Sequence, residues 1–312
     1  MEARLGFQGV YFDSPPQKKA LSWRPKCRRI NAVNEYGGCM STGPLETSDD
    51  DLSRFEADGA PPLPPTDNLG HVAHDHARIW YASYGSGLPV VLLHGGLGHG
   101  GNWGYQVPAL VSAGYRAVVI DSRGHGRSTR DERPFSYELM GSDVLAVMDT
   151  LQLTKASFVG WSDGACTALV LAANAPSRVT GVLFFACNVD PSGAKEFEFT
   201  PVVGRCYERH VKDYAQLSAT PDQFDAFSGA VSHMQQTQPN YSAHDLAQIS
   251  VLVTVVHSEH DEFIKREHAE YLARTLSRAE LTILPNVSHF APLQRPEQFN
   301  KTVLTFLGKT LA

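Results

Sequence analysis

Short apolar runs and longer amphipathic segments alternate along most of the chain, beginning near residue 70. The apolar runs are nearly continuous, as in strands that are buried on both faces of a parallel sheet. They occupy residues 89–94, 115–121, 156–161, 179–187 and 251–257, with an edge strand before them at 78–84 and a last strand at 280–284. The segments between several of these runs carry apolar residues at helical spacing. The pattern predicts an α/β fold, with helices on both faces of a mostly parallel sheet.

Residues 188–249 interrupt this alternation, because three consecutive segments there have helical patterns. An all-helical insertion between two core strands predicts a small helical cap over one end of the sheet. Its large apolar residues are candidates both for packing and for the wall of a ligand pocket. They are Phe197, Phe199, Tyr207, Tyr214, Phe224, Phe227, Met234 and Tyr241.

The first 69 residues differ in composition from the rest of the chain. They contain 8 of the 19 prolines, and their charge changes from basic over residues 1–40 to acidic over residues 41–69. Without a sustained hydrophobic period, they have little apolar surface to offset the entropy of ordering. We predict a disordered N-terminal arm over residues 1–69 and a folded domain over residues 70–312. Met40 is a hypothetical alternative start of translation.

The overall composition excludes several classes of function. The formal charge is −6 and 42% of the residues are hydrophobic, a balance without the basic footprint of a protein that binds nucleic acid or anionic membranes. No apolar run approaches the ~18 residues of a membrane span, and the N-terminus lacks the apolar stretch of a secretory signal. We therefore expect a cytoplasmic protein with no nucleic-acid or membrane partner, while the oligomeric state stays open.

Two groups of side chains resemble metal or disulfide sites only superficially. The five cysteines are too few and too scattered for a disulfide framework or a zinc site. His71, His74 and His76 are close in sequence, but no cluster of carboxylates completes a metal site. We predict no bound metal, and we interpret Cys166 as a small core residue.

The most informative motif is Gly160-Trp161-Ser162-Asp163-Gly164, which follows a predicted strand and begins a predicted buried helix. In this context the G-x-S-x-G pattern is a nucleophile elbow, in which the serine stands on a tight turn. Larger side chains at positions 160 and 164 would collide with neighbouring backbone. We predict that Ser162 is a nucleophile, and we take Trp161 as a candidate for substrate contact.

A serine hydroxyl needs a base to accept its proton, and the base needs an orienting acid. His289 follows the last predicted strand, and Asp261 follows the strand before it. The chain order Ser162, Asp261, His289 is the order of hydrolases with a nucleophile elbow. Three other acids compete with Asp261 for the orienting role: Glu259, Glu262 and Asp190.

A glycine-rich loop at residues 94–101 leaves the end of another core strand. Glycines let the backbone N–H groups approach a ligand closely, and an acyl-transfer oxyanion needs two such donors. We expect one donor to be the N–H of Asp163, directly after the nucleophile. The N–H of Gly96 is the expected second donor, with Leu97 as the alternative, and Leu97 is also a candidate for substrate contact.

Together these blocks resemble the α/β-hydrolase superfamily over residues 70–312. They are the loop at 94–96, the loop at 121–128, the elbow, Asp261 and His289. The layout is similar to small capped serine hydrolases such as valacyclovir hydrolase, to enol-lactonases and to cofactor-free haloperoxidases. The resemblance implies an eight-stranded sheet, a helical cap, no cofactor and a covalent acyl-serine intermediate. It also implies that the loop at 121–128 is mainly structural.

The expected function is that of a serine hydrolase of the carboxylesterase or lactonase type, acting on a small to medium ester or lactone. A carbon–carbon bond hydrolase would use the same triad, and a slow-turnover ligand-binding receptor would retain it. Dehalogenases and epoxide hydrolases of this fold carry Asp at the position of Ser162 and are disfavoured. The Asp163 side chain has two interpretations: a carboxylate that selects cationic substrates such as amino esters, or a first-turn acid that is stabilised by the helix dipole and points away from the pocket.

Overall fold

Eight strands form one sheet in the order β1-β2-β4-β3-β5-β6-β7-β8. The computed structural model describes residues 52–310, and every bound refers to that range. The strands are β1 (Leu69–His74), β2 (Ala77–Tyr84), β3 (Pro89–Leu93), β4 (Arg116–Ile120), β5 (Ala156–Trp161), β6 (Val179–Phe185), β7 (Leu252–His260) and β8 (Ala279–Ser288). Strands β3 to β8 are parallel, and β1 and β2 add an antiparallel edge. The predicted eight-stranded, mostly parallel sheet is confirmed.

Helices cover both faces of the sheet. They are α1 (Leu52–Asp58), α2 (Gln106–Ser112), α3 (Tyr137–Thr150), α4 (Asp163–Asn174), α5 (Pro201–Leu217), α6 (Phe224–Thr237), α7 (Ala243–Gln248), α8 (Arg266–Thr275), α9 (Ala291–Gln294) and α10 (Pro296–Thr310). One core cluster packs α3, α4 and α8 on one face, and a second packs α2 and α10 on the other. Along β3, Val91 and Leu93 belong to the first cluster, whereas Val90 and Leu92 belong to the second. Burial on both faces therefore explains the uninterrupted apolar runs. None of the helices described in residues 52–310 is long and apolar enough to cross a membrane.

Helices α5, α6 and α7 lie between β6 and β7, within the region of the predicted insertion. Helix α5 begins at Pro201, a residue whose missing N–H costs nothing in a first turn, and the Thr200 hydroxyl accepts the N–H of Val203 at 3.2 Å. Helix α7 begins with a reciprocal capping box between Ser242 and Asp245. Local capping therefore defines where these helices start.

The prediction of a disordered arm over residues 1–69 is wrong for residues 52–69, while residues 1–51 and Met40 lie outside the described residues. Leu52 and Phe55 are buried on one side of α1, and the Phe55 ring lies 6.0 Å from the His210 ring of α5. After α1, the Thr66 hydroxyl donates to the carbonyl of Ser83 in β2 at 2.7 Å. A helix of two turns buries too few residues to produce a periodic signal, and the prolines after it favoured the opposite interpretation.

Strands β7 and β8 end later than their apolar runs predicted, at His260 and Ser288 instead of residues 257 and 284. Pro285 and Asn286 read as turn residues, but the pairing register shifts between Ser258 and His260 and accommodates them. His260 then pairs with Ser288. This last pair defines where the backbone leaves the sheet after β7 and after β8.

Replacing Phe55 with Ala is expected to lower the free energy of unfolding by about 3 kcal/mol, because it empties a buried aromatic site between α1 and α5. Denaturant unfolding measures the change. Arg54→Ala, at an exposed position of the same helix, is the matched control and should stay within about 0.5 kcal/mol of the wild type. Equal stability of the two variants would show that α1 adds nothing to the folded domain.

Candidate active site

Ser162 stands on a tight turn between β5 and α4, in a sparsely populated backbone conformation with φ 52° and ψ −122°. Such a conformation costs a non-glycine residue about 1–3 kcal/mol and persists only where its surroundings impose it. The Ser162 N–H donates to the carbonyl of Phe185 at 2.8 Å, and the Ser162 carbonyl accepts the N–H of Ala165 at 2.7 Å. Strand β6 and the first turn of α4 therefore hold the strained turn from both sides.

Both glycines of the elbow are required by the approach of neighbouring backbone. A Cβ at Gly160 would lie 2.4 Å from the carbonyl oxygen of Gly164. A Cβ at Gly164 would lie 2.1 Å from the carbonyl oxygen of Leu93 in β3. No side chain fits at these distances, so the steric interpretation of the motif agrees with the structure.

Asp261 and His289 come together because each directly follows the last paired residue of its strand. The imidazole Nδ1 of His289 lies 3.2 Å from Oδ1 and 3.1 Å from Oδ2 of Asp261. Oδ1 also accepts the N–H groups of Phe263 at 2.9 Å and Ile264 at 2.8 Å. These backbone donors hold the carboxylate in the orientation that meets the imidazole.

The three competing acids have other partners. Glu262 accepts the backbone N–H of His289 at 2.8 Å rather than its ring. Glu259 accepts a backbone N–H from β8 at 2.8 Å, and Asp190 caps the short 3-10 helix after β6. Among the described acids that competed for this position, Asp261 is thus the one in contact with the imidazole.

The Asp261–His289 pair is buried, and its charges are mutually stabilised. Burial acts to lower the pKa of His289, but the negative charge of Asp261, its hydrogen bond and the charge of Glu262 outweigh burial, so this pKa is raised. Burial acts to raise the pKa of Asp261, but the charge and hydrogen bond of His289 outweigh it, so this pKa is lowered. The carboxylate therefore stays ionised beside an imidazole that readily accepts a proton.

Ser162 and His289 share their neighbours at this edge of the sheet. Phe185, whose carbonyl accepts the Ser162 N–H, has its ring 6.5 Å from the His289 imidazole. The indole of Trp161, the residue before the serine, lies 6.2 Å from the same imidazole. The elbow and the Asp261–His289 pair thus belong to one site.

The glycine-rich loop after β3 lies against the elbow. A Cβ at Gly95 would be 3.2 Å from the Ser162 Cβ. Leu97 adopts a positive φ of 63°, so the loop reverses directly after Gly96. Asp163 is the first residue of α4, and first-turn N–H groups have no acceptor within their own helix. Both predicted oxyanion donors, Gly96 and Asp163, thus belong to segments that border Ser162.

Two buried polar residues support the start of this loop. His94 Nδ1 bonds the carbonyl of Gly95 at 2.8 Å, and His94 Nε2 accepts the N–H of Ser122 at 3.0 Å. Burial lowers the pKa of His94 to about 4, so its ring is neutral near pH 7. Asp121 Oδ1 accepts the N–H of Gly100 at 2.6 Å. The loop after β4 therefore holds the glycine-rich loop, which agrees with the structural role expected for it.

Comparison with known proteins identifies the family. The model of the alpha/beta hydrolase family matches residues 90–302. The chain belongs to this family. It is 28% identical to serine hydrolase BPHL of Mus musculus over 249 residues, which cover 76% of this chain and 85% of the relative. The BPHL of Homo sapiens gives the same identity and coverage over 251 residues.

Solved structures of other α/β hydrolases superpose on the same region. A structure described as Est816, an N-acyl homoserine lactone degrading enzyme, is 28% identical, with a TM-score of 0.62 over 76% of this chain and 100% of that one. The enol-lactonase from Burkholderia xenovorans LB400 is 22% identical, with a TM-score of 0.65 over 77% of this chain and 100% of that one. At this lower identity the second likeness bears on the fold alone.

The Asp163 side chain of this α/β hydrolase points toward the glycine-rich loop. Its carboxylate accepts the Tyr137 hydroxyl at 2.9 Å and the Gln235 side-chain amide at 3.1 and 3.0 Å. A Cβ at Gly96 would lie 2.7 Å from Asp163 Oδ2. Two neutral donors thus hold the carboxylate against the glycine-rich loop, and the choice between its two interpretations stays a prediction.

Tyr137 and Gln235 could not be found from the sequence. They lie on α3 and α6, far from the elbow along the chain, and neither belongs to a recognisable motif. Burial raises the pKa of Asp163 despite these hydrogen bonds and the charge of His289, which lower it. The site thus contains a second carboxylate whose partners within the described residues are neutral.

The two candidates for substrate contact differ in exposure. Trp161 is 2% exposed, and its ring packs against Trp103 at 6.2 Å and Phe290 at 5.9 Å. The side chain is thus held by aromatic packing, and its substrate contact stays a prediction. Leu97 is half-buried at the turn of the glycine-rich loop, and its substrate contact stays a prediction.

Cys166 has the environment of a core residue. It is a free, buried thiol whose Sγ lies 2.7 Å from that of Cys187 and 3.2 Å from the carbonyl of Asn188. Burial raises the pKa of Cys166 well above its usual range, which disfavours a reactive thiolate.

Histidines near the start of the domain have hydrogen-bonding roles. His71 Nε2 bonds the carbonyl of Arg127 at 3.3 Å, and His74 Nε2 lies 3.2 Å from the Ser142 hydroxyl. Across residues 52–310, no three His, Cys, Asp or Glu side chains are grouped so as to hold a metal ion.

The Asp261 charge is expected to decide where His289 titrates. In the wild type the imidazole should titrate above its usual value of about 6.5. In Asp261→Asn its pKa should be lower than in the wild type, because burial is then opposed by the charges of Glu262 and Asp163 alone. NMR titration of the imidazole measures both values. Glu259→Gln, which neutralises a nearby acid bonded to β8, should leave the titration unchanged. A His289 pKa that stays the same in Asp261→Asn would contradict the electrostatic pairing.

Proposed function

We propose that this α/β hydrolase is a serine hydrolase that cleaves a carboxylic ester or lactone through an acyl-serine intermediate. The observation that carries the proposal is the buried carboxylate of Asp261 on the imidazole Nδ1 of His289, beside the strained turn at Ser162. A carboxylate in this position fixes the tautomer with its proton on Nδ1. The other ring nitrogen is then free to accept a proton from a serine hydroxyl.

In the proposed first step, Nε2 of His289 takes the proton from the Ser162 hydroxyl while Oγ attacks the carbonyl carbon of the substrate. The negative charge on the carbonyl oxygen is stabilised by the N–H groups of Gly96 and Asp163. The imidazolium, stabilised by Asp261, then gives its proton to the departing alcohol oxygen. The products of this half-reaction are the free alcohol and the acyl-serine.

In the second step, His289 takes a proton from a water molecule that attacks the acyl carbonyl. The same two N–H groups bind the second oxyanion, and Ser162 leaves with the proton from the imidazolium. A lactone follows the same course, except that its alcohol stays attached to the acyl group. All proton transfers in this scheme pass through one imidazole, so its orientation by Asp261 serves both steps.

The relatives support a serine hydrolase, and one of them names a lactone. Serine hydrolase BPHL and the N-acyl homoserine lactone degrading enzyme Est816 are both 28% identical to this chain. A lactone is a cyclic ester, so the second name agrees with acyl transfer from oxygen. We therefore place ester and lactone hydrolysis before the carbon–carbon bond hydrolase and the slow-turnover receptor.

A second candidate function follows from Asp163. The carboxylate is buried against Gly96, and the donors that meet it, Tyr137 and Gln235, carry no charge. A cationic group of a substrate would supply the missing counter-charge at short distance. This observation favours esters with an amino group near the carbonyl as a subclass of substrates.

Ser162→Ala is expected to lower kcat for p-nitrophenyl acetate by at least about 10³-fold with an unchanged melting temperature, because the nucleophile is lost while the core is intact. Ser112→Ala, at an exposed position of α2, is the matched control and should retain wild-type turnover. Undiminished turnover in Ser162→Ala would refute the assignment. Hydrolysis of a vinylogous diketone by a wild type that cleaves no ester would favour the carbon–carbon alternative.

Asp163→Asn tests the amino-ester subclass. Its kcat/KM for alanine ethyl ester is expected to fall at least about tenfold more than its kcat/KM for ethyl propionate, because the countercharge of the ammonium is removed. The two esters differ in the amino group alone, and the backbone N–H at position 163 is retained. Equal losses on both substrates would exclude selection of cations by this carboxylate.

A further inference from the structure

Two aromatic side chains stand in solvent where the chain leaves β6 and approaches α5. Phe197 is 58% exposed and Phe199 is 61% exposed, the highest values among large hydrophobic residues in the described range. Their rings contact each other at 6.3 Å between centroids. Exposed aromatic surface of this kind is unfavourable in water and often marks a binding site.

These rings continue directly to the proposed catalytic histidine. The Phe197 ring lies 6.3 Å from the half-buried ring of Phe263, at an interplanar angle of 20°. The Phe263 ring in turn meets the His289 imidazole edge to face at 4.7 Å. We call Phe263, Phe197 and Phe199 the aromatic row. Its ring-to-ring contacts lead from the imidazole to solvent.

Backbone bonds hold the aromatic row in place. The Lys195 N–H donates to the carbonyl of Phe263 at 2.7 Å, and the Lys195 ammonium donates to the carbonyl of Asp261 at 2.5 Å. The segment that carries Phe197 is thus attached to the same loop that orients the imidazole. The position of the row relative to His289 is therefore part of the fold.

The charges around the aromatic row restrict what it can bind. Glu196 and Glu198 alternate with the two exposed phenylalanines and are themselves exposed, whereas the ammonium of Lys195, the cation of this segment, is bound to the carbonyl of Asp261. Carboxylates at these positions repel an anionic membrane surface and an anionic ligand. A neutral, flat, apolar group is the occupant that the row accommodates, because it can stack on the rings without meeting either charge.

We infer that the aromatic row is a leaving-group subsite that binds an aromatic substituent on the alcohol side of the substrate. This inference rests on the proposed function, because in that reaction His289 gives its proton to the departing alcohol oxygen. The group attached to that oxygen therefore lies beside the imidazole, where the row begins at Phe263. The acyl group lies on the other side of the scissile bond, so the inference assigns the row to the alcohol side alone.

The test compares phenethyl acetate with ethyl acetate, two esters of primary alcohols that differ by a phenyl ring. The ratio of their kcat/KM values is expected to fall about fivefold in Phe197→Ala and in Phe199→Ala, through loss of ring stacking. Leu88→Ala is the matched control, since Leu88 is 53% exposed but lies at the amino end of β3, away from the site. It should retain the wild-type ratio.

The acyl side provides a second control. The ratio of kcat/KM for ethyl butyrate to that for ethyl acetate is expected to stay at the wild-type value in both phenylalanine variants. The subsite would be refuted if the ratio of kcat/KM for phenethyl acetate to that for ethyl acetate stayed unchanged, or if the ratio for ethyl butyrate changed alone. Neither result would contradict the proposed ester hydrolysis. A wild type that hydrolyses neither these esters nor a lactone would instead refute the proposed function, and the subsite with it.

Discussion

The contact between Asp261 and His289 depends on the register of two parallel strands. Because His260 pairs with Ser288, the residues that follow them, Asp261 and His289, leave the sheet at the same level. The carboxylate therefore meets the imidazole. Burial would by itself neutralise both groups, and their mutual attraction prevents it. A shift of either strand by one residue would turn one partner to the opposite face of the sheet.

The same edge of the sheet imposes strain on Ser162 and holds the glycine-rich loop beside it. The strained turn is held by a hydrogen bond to β6, and β3 approaches so closely that position 164 must be glycine. Asp163 then links the elbow to α3 and α6 through Tyr137 and Gln235. Core packing, backbone strain and the buried carboxylates are thus parts of one arrangement at the carboxyl ends of the strands, where ligands bind in open α/β sheets.

Features that rest on local sequence were predictable, and features that rest on distant contacts were not. The elbow at Ser162 needs a strand, two glycines and a helix in direct succession, so the motif alone indicates it. Choosing Asp261 over Glu262 required the hydrogen bonds, because both acids follow the same strand. The partners of Asp163 come from other helices without a motif, and the two turns of α1 bury too little surface to produce a pattern. The partners of Asp163 and the position of α1 therefore became visible only in the three-dimensional structure.

The most direct test of the account is covalent labelling of the wild type with a fluorophosphonate, followed by peptide mapping. An activated serine attacks phosphorus, whereas an ordinary serine does not. We expect one label, located on Ser162, and its loss in His289→Ala. A wild type that takes up no label, or that carries the label on another residue, would contradict it.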